Sequence, residues 1–136
     1  MNTKSLFANI RDALSNFFDC PDEEEYRSLS VDSFEEILQN DDVELLDVRP
    51  ADEFAEKHIP GAINIDLYEP DFQEQVLAKF DKHKTLAIYC KTGLRSKAAA
   101  KILSKVGFDV VELTRGFICW VDAGKPLSDS PEGERL

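Results

Sequence analysis

Cysteine is scarce in this chain of 136 residues: there are three, Cys20, Cys90 and Cys119. They are odd in number, far apart and in no C-x-x-C spacing, which argues against a disulfide framework and against a zinc site. In a reducing compartment such cysteines are either buried inert thiols or reactive ones. Long apolar runs are missing too, and no stretch has the length needed to cross a bilayer. The N-terminus shows no signal-peptide pattern: Lys4 can serve as a charged start, but Asn9, Arg11 and Asp12 interrupt any apolar segment. The expectation is a cytoplasmic protein. Basic residues are also in the minority, 16 against 27 acidic ones, for a net charge of −11. That balance argues against nucleic acid as a partner, because phosphates call for a basic face.

What remains is the composition of a globular domain, 43% hydrophobic and 32% charged. The length fits one domain with room for a short extra arm, enough to bury a core without disulfides or metals. The charge is unevenly spread. Between Lys79 and Lys105 lie eight Lys or Arg residues and one acid, Asp81, so this window is +7 and the remainder −18. Cys90 sits inside it. Such lysines can be a plainly solvated set, or a local field that attracts an anionic substrate or an acidic partner.

Residues 3–18 carry Leu6, Ile10, Ala13, Leu14 and Phe17 on one stripe, which predicts an amphipathic helix. With the acidic linker through Glu25 it forms an arm over residues 1–25. The main domain is expected over 26–127 and a loose polar tail over 128–136. Within the domain the pattern predicts strands at 26–30, 44–48, 62–65, 85–89 and 110–113. Helices are expected at about 33–39, 52–57, 71–79, 95–106 and 116–123. The helix over 95–106 is expected to bury Ala98, Ala99, Ile102, Leu103 and Val106. Strands alternating with helices imply a central parallel sheet with helices on both faces. In that α/β class the functional site lies at the carboxyl ends of the strands. Cys90 follows the clearest strand, Thr85–Tyr89.

The segment Cys90-Lys91-Thr92-Gly93-Leu94-Arg95-Ser96 leads from that strand into a helix. A cysteine there meets unpaired N–H groups and the positive end of the helix dipole, both of which favour an anion. A loop curled around the sulfur turns further N–H groups inward as a nest, and Gly93 supplies a positive φ if the curl needs one. Arg95 adds a fixed cation. The outcome favours the thiolate over the thiol. The competing reading is a strand-end cysteine used only for packing.

Cys90-Lys-Thr-Gly-Leu-Arg-Ser96 resembles the active-site loop of the rhodanese family, C-x-x-G-x-R-[ST]. Leu46-Asp-Val-Arg-Pro-Ala-Asp-Glu-Phe54, followed by His58-Ile-Pro-Gly-Ala-Ile-Asn64, resembles the family's first signature. Leu113-Thr-Arg-Gly-Phe-Ile-Cys-Trp120 with Gly124-Lys-Pro126 resembles its last. The likeness covers about residues 26–127 in the correct order. One departure is Arg115-Gly116, where the family often has Gly-Gly. The resemblance implies that Cys90 takes a sulfane sulfur from a small anionic donor such as thiosulfate or a persulfide. It then passes that sulfur to a thiol or protein acceptor, with no metal or organic cofactor.

Under that reading Cys90 is the nucleophile. Lys91 recruits the anionic donor, or is simply solvated. Thr92, Gly93, Leu94 and Ser96 give backbone N–H groups, and Arg95 closes the loop or steadies the anion. Asp47 and Arg49 are supporting residues beside the site, Arg49 paired with Glu53 and Asp47 bonded to nearby backbone. His58 is expected to hold the turn before Pro60. Trp120 is expected in the core, and Cys119 as a buried thiol. A cysteine phosphatase is the rival enzyme, but such enzymes use C-x5-R, whereas Cys90 to Arg95 is C-x4-R, a smaller loop that suits one sulfur atom. The other rivals are a protein-to-protein persulfide carrier and a non-catalytic binding module of the same fold.

Overall fold

A computed structural model describes residues 26–130. The expected arm over 1–25, with Cys20, and the end of the tail lie outside the described residues.

Among the described residues five strands and five helices alternate. Strand β1 is Arg27–Leu29 and helix α1 Val31–Ile37; β2 is Val43–Asp47 and α2 Ala51–Glu56. They are followed by β3, Ile63–Asn64, and α3, Phe72–Lys79. Last come β4, Thr85–Tyr89, α4, Leu94–Lys105, β5, Asp109–Leu113, and α5, Gly116–Asp122. The strands form one parallel sheet in the order β1-β5-β4-β2-β3. Ser30 caps α1: its Oγ accepts the Ser33 N–H at 3.4 Å.

Both faces of the sheet are covered, which is why β4 reads as a continuous apolar run. Leu86 and Ile88 of β4 join a core with Val76, Ala99, Ala100, Leu103 and Val110, under α3 and α4. Ala87 and Tyr89 point the other way, into a core with Phe34, Phe54, Val111, Leu113, Phe117 and Trp120, under α1, α2 and α5. Trp120 is buried as expected, its indole N–H donating to the Pro126 carbonyl at 2.7 Å.

Two expectations need correcting. Helix α4 buries Ser96, Ala99, Ala100 and Leu103 against the sheet, while Ala98 and Ile102 face outward. The helix is rotated relative to the hydropathy stripe because the polar Ser96 takes an inward position, where it has partners. The chain expected to be loose from Ser128 is anchored at that residue. His58 and Ser128 exchange backbone hydrogen bonds of 2.9 and 2.8 Å, and Ser128 is buried.

Candidate functional site

Strand β4 ends at Tyr89, and the next residue, Cys90, lies at the carboxyl end of the sheet with 1% of its surface exposed. The chain then turns sharply. Gly93, at φ +101°, is the N-cap of α4 and donates its N–H to Cys90 Sγ at 3.0 Å. That single contact carries out the curl expected of the loop: a backbone donor is aimed at the sulfur where negative charge would sit. The first-turn N–H groups of Leu94, Arg95 and Ser96 have no acceptor within their helix. Ser96 turns its hydroxyl inward, 3.5 Å from Sγ, 3.2 Å from the Gly93 carbonyl and 3.1 Å from Glu112 Oε2.

The loop is held from below by α5. The Phe117 N–H donates to the Cys90 carbonyl at 2.8 Å and the Ile118 N–H to the Lys91 carbonyl at 3.1 Å. This grip needs the backbones to touch. A Cβ on Gly116, at φ +67°, would stand 2.6 Å from both of those carbonyl oxygens. Arg115, at φ +66°, occupies the same left-handed region with a side chain, which points outward and is exposed.

The residues expected around the cysteine separate into groups. Gly93 and Ser96 are buried beside Sγ. Lys91 and Thr92 are exposed, and Leu94 is 79% exposed. Arg95 is half-buried, and among the described residues it makes no hydrogen bond or ion pair; the loop is closed by backbone donors from Gly93, Phe117 and Ile118 instead.

Asp47 and Arg49 lie at the end of β2 and are buried together. The ion pair joins Arg49 to Asp47, Nη2 to Oδ2 at 2.7 Å, and not to Glu53 as expected. Both groups are locked at the strand end, where the Arg49 N–H also donates to Asp47 Oδ1 at 2.9 Å. Arg49 Nη2 donates further to the Lys57 carbonyl, and the guanidinium sits 4.2 Å over the Phe117 ring. Arg49 therefore steadies the residue that holds the Cys90 carbonyl. Burial works against its charge, but hydrogen bonding and attraction from Asp47 outweigh that and raise its pKa. Tyr89 packs against the same pair. Burial first, and the Asp47 charge second, push its phenol well above the ordinary range. It stays neutral and accepts the Ile59 N–H at 3.1 Å.

His58 is buried, stacked on Phe54 and bonded through Nδ1 to the Phe54 carbonyl, away from Cys90. Cys119 is half-buried rather than buried and packs on the α1, α2 and α5 side, whereas Cys90 belongs to the α3 and α4 side. A groove of about 280 Å³ lined by Leu38, Leu45, Ile59, Pro60, Trp120 and Pro126 opens on the Cys119 side of the sheet. Sequence reasoning missed Ser28, Glu112 and Phe117. Glu112 carried a signal, an acid inside the apolar strand Val110-Val111-Glu112-Leu113. Ser28 and Phe117 carried none.

A family model for the rhodanese-like domain matches residues 30–123. The thiosulfate sulfurtransferase GlpE of Coxiella burnetii is 31% identical over 106 residues, 77% of this chain and 95% of that protein. The thiosulfate sulfurtransferase PspE of Escherichia coli is 38% identical over 72 residues, 52% of this chain and 67% of that one. Among solved structures, a rhodanese-related protein from Thermoplasma volcanium superposes with a TM-score of 0.69 at 28% identity. The match covers 77% of this chain and 100% of that one.

Proposed function

Because the chain belongs to the rhodanese-like family, we propose that it is a sulfurtransferase that carries a sulfane sulfur as a persulfide on Cys90. The observation that carries this reading is the Gly93 N–H aimed at Cys90 Sγ from 3.0 Å, at the mouth of the sheet. The Cys90 thiolate attacks the outer sulfur of a donor such as thiosulfate. The new S–S bond forms as the old one breaks, and sulfite leaves with its electron pair. The persulfide anion is held by the loop's N–H groups. An acceptor nucleophile then takes the outer sulfur and Cys90 leaves as thiolate, a ping-pong cycle with no net redox change. Lys91 and Arg95 supply the positive field at the mouth, and Asp47 and Arg49 support the loop through Phe117. Residues 26–127 form the working unit. The setting is reducing and cytoplasmic, with Cys90 a free thiol. Among the described residues no helix is long and apolar enough to cross a membrane.

The test is thiocyanate formation from thiosulfate and cyanide. Cys90→Ser abolishes it and Cys119→Ser retains it. Activity that survives in Cys90→Ser removes Cys90 from the role.

A second reading, transfer between proteins, is favoured by the outer face of α4. There Leu94, Ala98, Lys101, Ile102 and Lys105 are exposed on a helix without an acidic residue. Such a face suits an acidic protein donor or acceptor. Turnover with a protein persulfide far above that with thiosulfate distinguishes it.

A further inference from the structure

Glu112 takes no part in the steps above, yet it stands one hydroxyl away from the reacting atom. Period two along β5 places it with Val110 on the α4 side of the sheet, opposite Ile88 of β4. It is fully buried. An unpartnered carboxylate there would be expensive, and three elements converge to satisfy it. Ser96 Oγ of α4 donates to Oε2 at 3.1 Å, while Ser28 Oγ of β1 and Lys97 Nζ of α4 donate to Oε1 at 2.5 and 3.0 Å. Ser96 has one hydroxyl proton. Given to Glu112, it leaves a lone pair facing Cys90, and the thiol S–H donates to Ser96 Oγ across 3.5 Å. The result is a continuous chain from S–H through O–H to carboxylate.

We propose that Glu112 is a positioning residue for Cys90, accepting through Ser96 the proton that the thiol must lose. The inference rests on the sulfur-transfer reading of Cys90. In the step, the S–H bond breaks and Sγ keeps the electron pair while that proton bonds to Ser96 Oγ. Ser96's own proton moves to Glu112 Oε2. One negative charge passes from the carboxylate to the sulfur, with no oxidant or reductant involved. The thiol is 1% exposed, so direct loss of its proton to water is hindered. Lys97, with 43% of its side chain exposed, links the far carboxylate oxygen to the surface. Because Glu112 becomes neutral as Cys90 becomes charged, this step leaves the buried site with one negative charge and not two adjacent ones.

Of the charged residues that adjoin this pair along the chain, Lys97 on α4 is bonded to Glu112, while Lys91 next to Cys90 and Arg115 ahead of α5 are exposed and Arg95 on α4 is half-buried. Strand β1 presents Ser28 and β4 presents Ile88. Asp47 and Arg49 neutralise each other beside Tyr89 and Phe117, on the opposite face. Two sites that share one proton titrate as a unit. The proposal therefore requires a span of pH in which the thiolate fraction follows the sharing of one proton between Sγ and Glu112.

The experiment is the rate of iodoacetamide alkylation of the full chain from pH 5 to 10, read by mass spectrometry on the peptide containing Cys90. The wild-type rate rises twice, with a pH-independent plateau between. Glu112→Gln keeps the size but accepts no proton, and it shows a single rise of about tenfold per pH unit before levelling. Ser96→Ala cuts the link while leaving Glu112 with Ser28 and Lys97, and it also loses the plateau. It decides the question if Glu112→Gln does not fold. A single rise in the wild type, or a plateau that survives in the folded variants, overturns the proposal. No sulfur donor enters this assay. Failure of Cys90 to take up sulfur is a separate result that defeats the functional reading instead.

Discussion

Gly116→Ala is the change that most directly tests how the Cys90 loop is built. The new methyl meets two separate penalties. At φ +67° any side chain occupies the left-handed region, which costs about 1–2 kcal/mol. Its Cβ would also lie 2.6 Å from the carbonyl oxygens of Cys90 and Lys91, closer than real Cβ atoms approach backbone. Those oxygens accept the Phe117 and Ile118 N–H groups, so α5 must move off the loop and both hydrogen bonds weaken. At about 1 kcal/mol for each bond, the total reaches about 3–4 kcal/mol. Gly124 is an internal control: φ is +72°, and a Cβ there would meet nothing within 4 Å. Gly124→Ala therefore reports the conformational penalty alone, about 1–2 kcal/mol. In urea unfolding the two variants separate by about 1 M in midpoint, for a slope of about 1–3 kcal/mol/M. Cys90 in Gly116→Ala also alkylates faster at fixed pH, because its cover has shifted. Equal midpoints for the two variants would refute the reasoning that close backbone contact at Gly116 holds the loop.

Other outcomes follow from neighbouring residues. Arg115→Gly relieves a side chain at φ +66° and raises stability by about 0.5 kcal/mol after the extra backbone entropy of glycine, read as a higher Tm; a lower Tm contradicts it. Arg49→Met leaves Asp47 as a buried charge without its cation and costs about 3–5 kcal/mol, part of which returns in the double variant with Asp47→Asn. A urea double-mutant cycle measures this, and a single-variant cost below about 1 kcal/mol rejects it. Tyr89 has a folded-state pKa raised above its ordinary value by burial and by Asp47, so the unfolded chain loses that proton first. Its contribution is complete below about pH 10 and declines above it, by up to about 1.4 kcal/mol per pH unit. Tyr89→Phe lacks this component of alkaline destabilisation, although it starts less stable because the Ile59 N–H loses its acceptor. Parallel alkaline profiles for the two proteins would contradict the assignment.

Much of this architecture is legible in the residues. Strand β4 matches its sequence reading end to end, because a strand buried on both faces is apolar at every position. The Cys90 loop is equally visible, since a cysteine between such a strand and a glycine-started helix is a local pattern. What hides is non-local. Ser28 and Glu112 meet across 84 residues of chain, and nothing near either one announces the other. The inward turn of Ser96 brings its hydroxyl to that carboxylate, so hydropathy alone is right for Ala99 and Leu103 but sets Ala98 and Ile102 on the buried face in place of Ser96 and Ala100. Arg49 is expected to pair with Glu53, whereas the strand end folds it back onto Asp47, two residues away. The Ser128 anchor arises from a backbone pairing with His58, to which side-chain character gives no clue.

The central claim, that Cys90 carries sulfur, is met most directly by intact-mass spectrometry after incubation with thiosulfate, with and without cyanide. The account predicts a gain of one sulfur atom that cyanide removes and that is absent in Cys90→Ser. No gain from thiosulfate, glutathione persulfide or a cysteine desulfurase, or a gain that persists in Cys90→Ser, would contradict it.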